Sequence, residues 1–271
     1  MVEAEHVATT VAQGVHGRRR VGQGETFWQF RRYEMGDSPQ SIDWRQSAKS
    51  DRVFVRELEW EAAQSVWLWR DTSPSMSWTS SVDLPEKRRR ADILALALTV
   101  LLIRGGEFVT FLGSDLRPSN SKTTLERLCN VIDRGDSDGA GLPPALPLPR
   151  FAQVVFISDF LSPLSEVEAV ARSYAAGGVK GHLLQIVDPA EELLPYDGRT
   201  RFEGLEGEDS WILSRVEAVR EPYRKRFKAQ CEGLESIARR LDWGHSVHRT
   251  DRSPNTALLA LYLAMTQDRR R

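Results

Sequence analysis

"LWRDTSPSMSW" at residues 68–78 decides how this chain is read. The apolar, β-prone run "SVWLWR" (65–70) ends at an aspartate, and Asp71, Ser73 and Ser75 then stand at alternate positions. Asp and Ser side chains bond nearby backbone amides and cap helices, so Asp-Thr-Ser-Pro-Ser alone is ordinary turn chemistry. The same oxygens behind a strand also suit a hard cation. The surrounding chain has to choose between them.

Outward from this stretch, short apolar runs alternate with helical patterns, which is how a parallel α/β sheet is written. Candidate strands are 65–70, 108–113, 152–158, 182–187 and 245–250. Candidate helices are a long one after Pro85, with proline in its first turn, then 123–132, 164–174, 223–241 and 256–265. The fold class expected is α/β, a Rossmann-like, doubly wound, mostly parallel sheet flanked by helices. The glycine- and proline-rich 135–150 and the polar 187–211 read as long connections, the second with a short hairpin.

The first residues differ in character. Residues 1–16 are expected to be a flexible N-terminus, 17–64 a small β-containing extension ending in the alternating "RVFVRELEW", and 65–268 the main domain.

Composition narrows the function classes. Hydrophobic residues at 41% and charged residues at 28% fit a folded globular chain. A net charge of -1 gives no general pull toward nucleic acid or anionic lipid. The basic runs 17–20, 87–91 and 268–271 are interrupted by acidic residues and read as solvated surface. Two cysteines make no disulfide framework, no signal-like segment opens the chain, and the longest apolar run, Ala91–Ile103, is too short to span a bilayer. A cytoplasmic protein is expected.

An aspartate follows each candidate strand at once or nearly so: Asp71, Asp115, Asp159, Asp188 and Asp251. Parallel strands put these at one sheet edge, and ligands of open α/β sheets bind there, where strand order reverses. If the first strand is central, the reversal lies between Asp71 and Asp159. Two carboxylates with Ser73 and Ser75 are hard oxygen donors suited to Mg²⁺ or Mn²⁺ rather than zinc. The five histidines form no cluster that argues otherwise.

With "VVFISD" (154–159) opposite it, the D-x-S-x-S stretch resembles the metal-ion-dependent adhesion site of von Willebrand factor A-type domains. "RxYxxGD" at Arg31–Asp37, "IDWxxSA" at Ile42–Ala48 and "VDPAEELLP" at Val187–Pro195 resemble the domain of unknown function 58 (DUF58) family from about Gly17 onward. The resemblance implies a von Willebrand factor A-like domain holding one divalent cation, Mg²⁺ or Mn²⁺. Ser73 and Ser75 would bind it directly, Asp71 and Asp159 mostly through water or hydrogen bonds, and a partner's carboxylate would take the open position. The threonine that the second loop usually supplies is absent. Ser137 is the candidate substitute, with Asp136 and Asp138 able to intrude. A third carboxylate would hold a cation well but repel an acidic partner.

The function implied is non-catalytic protein binding or scaffolding, with a MoxR-type AAA+ ATPase as the partner, since genes of the two kinds often lie together. A Mg/Mn-dependent phosphoester hydrolase using the same crevice is the alternative. Against it stand the lack of a P-loop, of a G-x-S-x-G elbow, and of a strand-end His or Lys in the crevice. At the N-terminus, Gly36-Asp37-Ser38-Pro39 reads as a turn and Trp44 as a core anchor, with a docking surface the competing reading.

Overall fold

The computed structural model describes residues 1–16, 26–33, 42–49, 52–59, 65–121, 123–134, 139, 141–205 and 209–267. Arg19–Ala63 form one compact unit, and Met1–Arg18 together with Gln64–Arg271 form another.

In the small unit, strand β1 (Thr26–Arg32) pairs antiparallel with β2 (Phe54–Glu59), with a register shift between Phe27 and Gln29. The one-turn helix α2 (Trp44–Ser47) starts because Asp43 Oδ1 accepts the Gln46 amide at 2.9 Å, an N-cap bond. Ser47 Oγ accepts the Phe54 amide at 2.9 Å and donates to Asp43 O at 2.8 Å, tying α2 to the start of β2. Trp44 is not the core anchor expected from the sequence; it is 67% exposed. The anchoring falls to Asp43 and Ser47, which leaves the first residue of so short a helix facing outward. The turn expected at 36–39 lies outside the described residues.

The large unit opens with helix α1 (Val2–His16), where the sequence suggested a flexible lead-in. Ala4, Val7, Ala8 and Val11 make one apolar stripe at helical spacing, and all four are buried in a core shared with two later helices. Burying that stripe gives the helix a tertiary reason to form.

A five-stranded sheet follows, in the order β4-β3-β5-β6-β9, and every pairing in it is parallel. Its strands are β3 (Ser65–Arg70), β4 (Phe108–Phe111), β5 (Gln153–Ser158), β6 (Lys180–Val187) and β9 (Gly244–Arg249). β5 is buried along its whole length, as a central strand covered on both faces should be.

The alternation within the strands sorts two cores. Val66, Leu68, Val155, Ile157, Leu184 and Ile186 face α1, α3 (Lys87–Arg104) and α8 (Pro254–Gln267). Trp69, Val154, Phe156 and Leu183 face α5 (Leu164–Ala176) and α7 (Glu217–Arg240). Helix α4 (Thr124–Arg134) packs Leu125 and Leu128 into the first core. The α/β class with a parallel sheet covered by helices is therefore as expected. Two boundaries differ: α3 begins two residues past Pro85, and α7 starts at Glu217, six residues before the expected Tyr223, with Pro222 inside it rather than just ahead of it. Pro222 lies past the first-turn amides that have no helical partner, so the helix gives up one backbone bond there.

Between β6 and α7 lie the short helix α6 (Pro189–Leu193) and a hairpin of β7 (Thr200–Phe202) and β8 (Trp211–Leu213). From β3 the chain steps to one side for β4 and to the other for β5, so strand order reverses at the carboxyl ends of β3 and β5.

Candidate functional site

At that reversal the loop after β3 and the loop after β5 meet over an open cavity of about 470 Å³. Asp71, Ser73, Ser75 and Asp159 line it together with Trp78, Gly141 and Glu191. Leu161, 53% exposed, and Leu205, 48% exposed, stand at its rim.

Each acidic group is held by several donors. Asp71 Oδ1 accepts the Ser73 amide at 2.8 Å, an Asx-type turn that aims the D-x-S-x-S loop back at the strand it left. Asp71 Oδ2 accepts from Ser158 Oγ at 2.5 Å, and that same oxygen accepts the Phe160 amide at 2.8 Å. Ser75 Oγ donates to Asp159 Oδ2 at 2.8 Å. Its one hydrogen is then spent, so in the 3.0 Å contact between the two hydroxyls Ser73 is the donor. Asp159 Oδ1 accepts the Leu161 amide at 3.3 Å. A single chain of hydrogen bonds thus runs from Ser73 through Ser75 to Asp159.

The loop carrying Asp159 is fixed from behind. Phe160 adopts a positive φ of 51°, uncommon for a residue with a side chain, and is buried. Gln230 of α7 donates its amide to both Phe160 O at 2.9 Å and Ser162 O at 3.1 Å. Gln185 of β6 donates to Asp159 O at 3.2 Å.

Electrostatically the crevice is crowded. Burial raises the Asp71 pKa above the usual carboxylate range, and the Asp159 charge raises it further, against the pull of the Ser158 and Ser73 hydrogen bonds. The counter-charge comes from the first residue of α3. Lys87, 1% exposed, sets its Nζ 2.8 Å from Asp159 Oδ2 and also pairs with Glu191. Burial pulls the Lys87 pKa down, but Asp159 and Glu191 outweigh it and the net direction is upward. The Trp78 ring lies 5.9 Å from the same Nζ, within cation–π range.

Glu191 reaches the site because of the local sequence at β6's end. Asp188 caps α6, taking the Ala190 amide at 2.8 Å, and Glu191 closes a capping box by accepting the Asp188 amide at 2.9 Å. Pro189 fits the first helical position, where no donor is needed.

Residues 29–233 match the family described as "Protein of unknown function DUF58". This chain belongs to the DUF58 family. Among curated relatives, the uncharacterized proteins Rv1480 of Mycobacterium tuberculosis and Mb1516 of Mycobacterium bovis are each 26% identical over 211 residues, covering 72% of this chain. The chain spans 65% of the length of those relatives.

Solved structures similar to this DUF58 chain include conserved hypothetical protein BatB from Bacteroides thetaiotaomicron. It is 16% identical with a TM-score of 0.41, and the match covers 77% of this chain and 100% of that one. An aerotolerance-related membrane protein from Bacteroides fragilis is 18% identical with a TM-score of 0.40, covering 76% of this chain and 100% of that one. The cytoplasmic location expected from the sequence does not stand beside these descriptions, the second of which is of a membrane protein, and is withdrawn. Among the described residues no helix is long and apolar enough to cross a membrane.

Of the five residues singled out as candidate ligands, Asp71, Ser73, Ser75 and Asp159 converge at the crevice. Ser137, with Asp136 and Asp138, lies outside the described residues, although Gly141 at the end of the same loop borders the cavity. The other strand-end aspartates go elsewhere. Asp188 is buried as the α6 cap and also accepts the Ser80 amide at 3.0 Å, while Asp251 pairs with Arg249 at 2.8 Å and Asp115 is exposed.

Lys87 and Glu191 are not among the residues singled out from the sequence, where no strand-end lysine was expected in the crevice and 87–91 read as solvated surface, yet Lys87 and Arg90 of that run are buried. A polar residue opening an apolar helix and the acidic pair within "VDPAEELLP" were the available signals.

Proposed function

We propose that this DUF58 chain is a non-catalytic binding or scaffolding protein, a von Willebrand factor A-like domain whose crevice takes one divalent cation, Mg²⁺ or Mn²⁺. The observation that carries the reading is the hydrogen-bonded row Ser73–Ser75–Asp159, with Asp71 beside it, at the switch point of a parallel sheet.

The donor set suits such an ion. Among the described residues no three His, Cys, Asp or Glu side chains form a metal-holding group; in this reading the hydroxyls of Ser73 and Ser75 would supply part of the ligand set. Hydroxyl and carboxylate oxygens are what a hard cation takes. Charge agrees as well: Asp71, Asp159 and Glu191 against Lys87 leave two formal negative charges, the amount a divalent cation balances. A bound cation would also relieve the repulsion from Asp159 that raises the Asp71 pKa. It would supply a positive centre for a partner's carboxylate, while Leu161 and Leu205 at the rim offer apolar contact.

For the partner we propose a MoxR-type AAA+ ATPase, with this chain as its adaptor in protein assembly or maturation. That part rests on the DUF58 resemblance alone.

Thermal unfolding with and without Mg²⁺ or Mn²⁺ tests the site. The ions should raise the melting temperature of the native protein and much less that of a Ser73→Ala, Asp159→Ala variant. Equal shifts in both would remove the crevice as the binding place. Mixing with a purified MoxR-type ATPase in Mg²⁺ and in EDTA tests the adaptor role, which falls if no complex forms in Mg²⁺.

A further inference from the structure

We propose that Lys87 is a built-in competitor for the cation. Its ammonium and the ion contend for Asp159, and ion binding sends the lysine to Glu191 alone. The inference rests on the cation reading above and adds what sets the affinity of that site.

The oxygen in question is Asp159 Oδ2. It accepts from Ser75 Oγ at 2.8 Å and from Lys87 Nζ at 2.8 Å, so the carboxylate oxygen that faces the serine row is the one the lysine holds. The other oxygen, Oδ1, is turned to the Leu161 amide at 3.3 Å. A cation seated against Ser75 and Asp159 therefore meets a positive charge already on its ligand, and both cannot keep the same oxygen.

Lys87 has a second partner ready. Glu191 is held by the Asp188 amide at 2.9 Å through its other oxygen, so it stays in place whether or not Lys87 also touches Asp159. The lysine cannot swing to solvent at little cost, because at 1% exposure its charge needs a counter-ion or the Trp78 ring wherever it moves inside. Its backbone is pinned too, the Lys87 amide donating to Trp78 O at 3.3 Å. The choice left to it is between Asp159 with Glu191 and Glu191 alone. The balance of those two pairings, not the oxygen donors by themselves, then fixes how tightly the crevice takes an ion.

Mn²⁺ affinity, read from the electron paramagnetic resonance signal of the free ion, tests this in three proteins. The variant Lys87→Met, Glu191→Gln keeps the formal charge of the crevice and removes the competitor, so it should bind Mn²⁺ about tenfold more tightly than the native chain. Glu191→Gln alone strips Lys87 of its refuge and should weaken binding by about tenfold. Circular dichroism shows whether each variant is folded; should the double variant fail to fold, Lys87→Gln, Glu191→Gln, which carries the same formal charge, takes its place. Opposite shifts in the two variants, or binding gained only when Lys87 is gone, support the proposal. Native binding that either folded variant leaves unchanged, or shifts the other way, overturns it and leaves the cation site standing. No Mn²⁺ binding by any of the three overturns both.

Discussion

Ser158 Oγ donates to Asp71 Oδ2 at 2.5 Å, and this one hydroxyl couples the two strand ends that make the crevice. Ser158 is the last residue of β5 and Asp71 the first after β3; the Asp71 amide also donates to Ile157 O at 2.8 Å, continuing the pairing of the two strands. The hydroxyl accepts the Phe160 amide as well, so it steadies the turn that presents Asp159. Ser158→Ala would leave a buried carboxylate oxygen and a buried amide short of a partner. The expected loss is about 2 kcal/mol, with a melting temperature lower by roughly 4–8 °C. An unchanged melting curve would show that Asp71 is held by its other contacts alone.

Helix α1 makes a second prediction, since its stripe of Ala4, Val7, Ala8 and Val11 is buried with α3 and α8. A charge placed in that stripe has no partner there. Val7→Asp should destabilise the protein by about 3 kcal/mol, whereas the exposed Val2→Asp should change stability by less than about 0.5 kcal/mol. Urea denaturation of the two variants separates them, and equal midpoints would mean that α1 contributes nothing to the fold.

How much of this was legible in the sequence follows the physics of each feature. The strands beginning at Ser65, Phe108, Gln153 and Lys180 announced themselves because covered parallel strands are apolar runs bounded by turn residues. The switch point followed from their order, and with it the meeting of Asp71 and Asp159. α1 was readable at positions 4, 7, 8 and 11, but its alanines and valines are weak hydrophobes among charges, and only α3 and α8 make the stripe worth burying. Lys87 was hidden by its neighbours, because it opens a run of four basic residues in which Arg88 and Arg89 stay unburied, and a polar residue at the head of an apolar helix does not by itself say which cations turn inward. Its burial depends on Asp159 and Glu191, 72 and 104 residues away, and such long-range pairing carries no periodic signal.

The start of β6 yields a third prediction. A Cβ built on Gly181 would lie 2.3 Å from the Trp243 ring, so β6 can pass beneath that indole only as glycine. Trp243 cannot easily yield, since its Nε1 donates to Val179 O at 3.2 Å and its ring stacks edge-on to Phe156 at 5.7 Å. Gly181→Ala should cost about 1–3 kcal/mol through this overpacking. Replacing Trp243 with leucine in the same chain should recover part of the loss relative to the sum of the single variants. Strict additivity in a double-mutant cycle would refute the steric account.

His248 and His182 give the fourth, a pH dependence. Both are buried, and burial lowers each pKa from 6.5 to about 4, with Arg90 beside His248 and His245 beside His182 acting the same way. A histidine depressed in the folded state binds fewer protons there than in the unfolded chain. Its contribution is thus intact above pH 6.5 and lost as pH falls toward 4. At pH 5 each residue should have surrendered about 2 kcal/mol, before most carboxylates titrate. His248 is the cleaner probe, since its Nε2 has no hydrogen-bond partner among the described residues and a leucine there gives up no bond from that atom. Urea denaturation of the native protein and of His248→Leu at pH 7 and pH 5 isolates its share, because Asp71 and the remaining groups titrate alike in both. The gap between the two proteins should shift by about 2 kcal/mol in favour of the variant on acidification. A gap that stays constant would mean that His248 is already protonated, or reachable by water, in the folded state.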